Sequence, residues 1–67
     1  MLRHSRRFRL EILDLQLLLR SRGYDPGGVD GIIGPRTRAA IKRFQRDQGL
    51  ANDGYATQEL LTQLRGI

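Results

Sequence analysis

Sixty-seven residues suffice for one small domain, which buries only about 60% of the surface its unfolded chain exposes. With no cysteine and a single histidine, His4, neither a disulfide nor a thiolate- or histidine-bound metal reinforces it, so the core must come from Leu, Ile and Phe. Twelve Lys and Arg against seven Asp and Glu give a net charge of +5, which favours anionic partners such as nucleic acid, phospholipid headgroups or an acidic cell-wall polymer. No apolar run reaches the roughly 18 residues of a membrane span.

Residues 1–7, MLRHSRR, carry no apolar period and read as a flexible basic arm ahead of a domain over residues 8–67. Glu11 and Asp14 interrupt the run LEILDLQLLL, so no signal peptide is visible. From Phe8 to Arg22 the recurrence of Phe8, Ile12, Leu15 and Leu19 predicts a helix with one buried face. Gly23-Tyr24 ends it in the manner of a Schellman motif, with Tyr24 folding back on the helix. Leu10, Leu13 and Leu17 form a second apolar stripe, either covered by the third helix or left as an interface for another chain or domain.

Residues 24–34 hold Pro26, four glycines and two aspartates, a composition that makes a loop and not a strand or helix. Asp25-Pro26-Gly27-Gly28 reads as one turn, and Val29 and Ile32 flank a second at Asp30-Gly31. Pro35 then starts a helix, since proline at the first position loses no hydrogen bond, and Thr37 is placed to bond back towards the helix start. Thr37, Ala40, Ile41, Phe44 and Gln48 are expected on its inner face, while Arg38, Lys42 and Arg46 form an outer row beside Arg36 and Arg43. Gly49-Leu50 closes this helix, NDGY makes a second Asp-Gly corner, and Thr57 caps a last helix through about Leu64. The expected fold is all-α, a small three-helix bundle with a long Gly/Asp/Pro loop between helices 1 and 2 and two Asp-Gly corners.

Catalytic chemistry finds little to work with. His4 sits in the arm, Ser5 and Ser21 have no base beside them, and Asp30 and Asp53 precede glycine, where a carboxylate caps its own turn. The chain is therefore not read as an enzyme. DPGGVDG lacks the alternating ligands and closing Glu of a calcium loop, and the glycines lack the Gly-Lys-Ser/Thr ending of a phosphate loop; neither metal nor cofactor is expected. A basic helix also invites comparison with helix-turn-helix readers, but those join their helices by about three or four residues, and this loop is far longer. Charge alone still permits nonspecific nucleic-acid binding at low salt.

Read as a whole, Leu15-Gln16, Leu19, Gly23-Tyr24, Asp30-Gly31, Gly34, Thr37, Ala39-Ala40, Phe44-Gln45 and Gly49-Leu50 fall in one order and spacing. This pattern closely resembles the first type of peptidoglycan-binding domain, a small three-helix module attached to cell-wall lytic enzymes, over roughly residues 10–65. The family's second corner is shortened here to Asp53-Gly54-Tyr55-Ala56-Thr57, without its second glycine. The resemblance implies a noncatalytic module that holds a wall-modifying protein against the glycan–peptide mesh and so raises its effective concentration there. It further implies a location in the cell envelope and a tethered catalytic domain, with a homodimer through helix 1 as another use of the stripe. The ligand is expected between the long loop and the start of helix 2. Tyr24, Asp30, Arg36, Arg38 and Tyr55 are the candidate site residues, Asp30 shaping the loop and the arginines meeting carboxylates of the muropeptide. The rival reading makes the domain a protein-interaction or pro-domain-like cover that uses Leu10, Leu13 and Leu17.

Overall fold

The computed structural model describes residues 6–66. Three α-helices follow one another: α1 (Arg6–Ser21), α2 (Pro35–Asp47) and α3 (Gln58–Arg65). Helix α1 thus begins inside the segment expected to be the arm; residues 1–5, His4 among them, and the side chain of Phe8 lie outside what is described.

α1 packs against both other helices. The period predicted for it holds at Ile12, Leu15 and Leu19, each almost fully buried, and these meet Ala40, Ile41 and Phe44 of α2 and Leu60, Leu61 and Leu64 of α3. At about 1.5–3 kcal/mol for each large side chain removed from water, this core is the main stabilising term. The two carboxylates inside the leucine-rich run face α3: Gln58 Nε2 donates to Glu11 Oε2 at 2.8 Å, and Arg65 pairs with Asp14. At the far end of α1, Arg22 Nη2 donates to the Leu64 carbonyl at 3.1 Å, a cation on a helix C-terminus.

The helix ends follow the local signals. Tyr24 N–H bonds the Leu19 carbonyl at 2.8 Å and Gly23 N–H that of Arg20 at 3.1 Å. Leu50 and Gly49 repeat the pattern on Gln45 and Arg46, at 2.8 and 3.1 Å. Pro35 is the first residue of α2, and Thr57 Oγ1 accepts the Leu60 N–H at 3.1 Å.

Two expectations are corrected, and one of two alternatives drops out. Of the two readings left open for the second leucine stripe, cover by α3 is not seen: Leu10 is 58% exposed and Leu17 51%, with Leu13 half-buried between them, because α3 crosses α1 on the side of Glu11 and Asp14. Gln48 is exposed and Gln45 is buried in its stead, since Gln48 is already the C-cap, where α2 leaves the core. Thr37 does not cap α2, whose N-cap Gly34 has no side-chain bond; its hydroxyl is committed to the loop.

Candidate functional site

The loop between α1 and α2 is organised by one buried amide. Gln16, fully buried next to Leu15, donates from Nε2 to Asp30 Oδ1 (3.2 Å), the Ile32 carbonyl (2.9 Å) and Thr37 Oγ1 (3.1 Å). Its Oε1 accepts the N–H groups of Asp30 (3.1 Å) and Gly31 (2.9 Å). Thr37 Oγ1 in turn donates to the Pro26 carbonyl at 3.1 Å, so both turns of the loop are fastened to helices. Within the loop, Asp25 Oδ1 accepts Gly27 N–H and Asp30 Oδ1 accepts Ile32 N–H, both at 2.9 Å. For Asp30 this is the turn-capping role predicted for an aspartate before glycine; Asp25, which precedes Pro26, does the same at the first turn.

The second corner repeats the device. Gln45 Nε2 donates to Asp53 Oδ1 at 3.0 Å, its Oε1 accepts Gly54 N–H at 2.9 Å, and Asp53 Oδ1 accepts Tyr55 N–H at 3.0 Å. The echo between VDGI and NDGY is therefore a repeated hydrogen-bond bracket. The two glutamines were the missed residues. The available signal was a Gln directly after a core residue in both helices, Leu15-Gln16 and Phe44-Gln45. Both aspartates have their carboxyl pKa lowered, Asp30 first by the Ile32 N–H and then by Gln16, Asp53 first by the Tyr55 N–H and then by Gln45.

Against the first corner lies an open groove of about 220 Å³, lined by residues 26–28, Asp30 and Ile32 of the loop and 34–37 at the start of α2. Ile32, 60% exposed, and the two prolines give it an apolar wall. At the rim, Arg36 lies over Gly27 and its guanidinium stands 3.5 Å from Asp25 Oδ2, an exposed pair with little energy of its own. The first N–H groups of α2 open here too, a favourable place for negative charge.

Of the five candidate site residues, the groove brings together Asp30 and Arg36. Arg38 is exposed and does not line it, and Tyr55, 51% exposed, belongs to the second corner. Tyr24 is a half-buried plug. Its ring stands edge-on to Phe44, centroids 5.8 Å apart, and its hydroxyl donates to Asp47 Oδ2 at 2.8 Å, which raises its pKa. Among the described residues no group of three or more His, Cys, Asp or Glu could hold a metal ion, and no helix is long and apolar enough to cross a membrane.

Comparison with known proteins places this geometry. SltB3 from Pseudomonas aeruginosa, solved in complex with NAG-anhNAM-pentapeptide, contains a similar unit: TM-score 0.82 and 51% identity, covering 85% of this chain and 15% of that one. The zinc D-Ala-D-Ala carboxypeptidase of Streptomyces albus G is 49% identical over 45 residues, 61% of this chain and 18% of that protein. Localization factor PodJL of Caulobacter vibrioides is 43% identical over 49 residues, 73% of this chain but 5% of its own length. The chain thus spans only a small part of the relatives it matches. The peptidoglycan binding domain profile matches residues 9–64. On that match the chain belongs to the peptidoglycan binding domain family.

Proposed function

We propose that the chain is a noncatalytic peptidoglycan-binding module over residues 8–67, which seats the peptide portion of the polymer in the groove between the loop and α2. The observation that carries this reading is the groove itself: an apolar wall at Ile32 and Pro35, with Arg36 and the start of α2 at its rim. A muropeptide offers the matching chemistry, small apolar side chains and carboxylates, and a guanidinium takes a carboxylate through two parallel hydrogen bonds. That the similar structure of SltB3 was solved with a NAG-anhNAM-pentapeptide supports the ligand class. The small share of its relatives that the chain spans supports a role as one part of a larger wall-modifying protein in the cell envelope.

A pull-down on purified insoluble peptidoglycan at physiological salt tests the assignment. The wild type is expected in the pellet. Arg36→Ala should weaken retention about tenfold, the worth of one charge-assisted contact, whereas Arg38→Ala should leave it within about twofold. Full recovery of the wild type in the supernatant would sink the reading.

The exposed Leu10 and Leu17 favour a second use of the module, a protein contact on α1 with a tethered catalytic domain or another copy. Sedimentation at rising concentration distinguishes the two occupants: a monomer throughout leaves the tethered domain.

A further inference from the structure

The wall of the groove is anchored from inside the core. Thirteen residues connect α1 to α2 (22–34), and five of them are glycine, a composition with many accessible conformations. Asp25 and Asp30 each accept an N–H two residues on, which closes local turns. The loop's attachment to the helices comes from elsewhere: Gln16 grips Asp30, Gly31, Ile32 and Thr37, and Thr37 holds Pro26. Asp30, Ile32, Thr37 and Pro26 are all groove-lining residues, while Gln16 is fully buried beneath them.

We infer that Gln16 is the positioning residue of the binding groove: it touches no ligand, but its amide holds the loop in the one conformation that forms the wall, and so sets affinity for the peptidoglycan peptide. The inference rests on the groove reading above. Its physical basis is preorganisation. A loop already ordered by buried hydrogen bonds leaves the ligand less ordering entropy to overcome, and a site held loosely loses affinity without losing a single contact residue.

The molecule supplies its own control. Gln45 makes a smaller version of the bracket, two hydrogen bonds against the five of Gln16, at the second corner away from the groove, so both are buried loop anchors but only one stands under the proposed site. Gln16→Met and Gln45→Met keep the volume and remove the amide. Both should lower the melting temperature. Below it, with helical circular dichroism intact, Gln16→Met is expected to weaken retention on insoluble peptidoglycan at least about tenfold and Gln45→Met by less than about twofold. Should Gln16→Met fail to fold, Thr37→Val removes the hydroxyl that joins Gln16 to Pro26. It should lose binding in the same sense, while Thr37→Ser, which keeps the hydroxyl, restores it.

Equal retention by Gln16→Met and wild type overturns the inference, and so does an equal loss in both glutamine variants. A wild type that stays in the supernatant overturns the groove reading instead. In that case amide hydrogen exchange still decides on Gln16 as organiser of the loop. Faster exchange across residues 27–32 in Gln16→Met, with residues 53–55 unchanged, supports it, and an unchanged loop overturns it.

Discussion

Gly31 occupies the left-handed region at φ +77, and a Cβ there would lie 2.8 Å from Arg9 Cγ and 3.4 Å from the Arg9 carbonyl oxygen. Rotating the Arg9 side chain relieves the first contact, but the backbone strain stays. Gly31→Ala should therefore cost about 1–2 kcal/mol in urea unfolding, with little recovered by adding Arg9→Ala. The aspartate beside it sets an acid limb. Asp30 and its counterpart Asp53 are held below the ordinary carboxyl value of 3.8, chiefly by the N–H groups of Ile32 and Tyr55 and then by the two glutamines. A depressed folded-state pKa means that the stabilisation is complete above 3.8 and is lost as pH falls through that value towards the folded one. Unfolding midpoints measured down an acid series should drop over that window. Asp30→Asn with Asp53→Asn keeps the accepting oxygen but cannot titrate, so it should flatten the drop.

Each helix draws its stability from a different source. α1 is long and packs on both partners, so its ends are secondary. α3 has only eight residues, well short of the roughly 12–15 at which isolated helices become marginal in water, and it relies on its cap and its three buried leucines. Thr57→Ala removes the bond to Leu60 N–H and is expected to cost about 1 kcal/mol, read from the urea midpoint at constant slope. α2 presents an outer row of Arg38, Lys42 and Arg46, all exposed, at a spacing where like charges repel by a few tenths of a kcal/mol per pair. Its inner face offsets that repulsion through Ile41 and Phe44.

At the scale of the whole molecule, a chain this short has stability of about 3–10 kcal/mol, and no disulfide to support it. Phe44 is fully buried at the centre, with Tyr24 edge-on against it. Phe44→Ala removes about 3–5 kcal/mol, a large part of the total. Thermal melts should show that variant largely unfolded at 37 °C, where the wild type remains helical. Much of this architecture was legible in advance. Ile12, Leu15 and Leu19 announce the core by their spacing, and Asp30 and Asp53 announce their turns by the glycine that follows. The site was legible only in part. The loop and the start of α2 do enclose a groove, but Tyr24 and Tyr55, put forward as aromatic residues beside loops, do not line it. One proved a plug on Phe44, and the other sits at the corner the groove does not reach.

What the sequence determined by itself is what depends on neighbours in the chain: where α2 starts at Pro35, where α1 and α2 stop at Gly23 and Gly49, how Thr57 caps α3, and which turns Asp30 and Asp53 close. Only the tertiary structure decided which distant groups meet. Gln16 reaches Thr37 across 21 residues and Gln58 reaches Glu11 across 47. Leu10 and Leu17 stay in solvent because α3 crosses elsewhere on α1. The physical reason is range. Capping, φ preference and helical period act within a few residues, whereas the partners of a buried amide depend on how three helices cross.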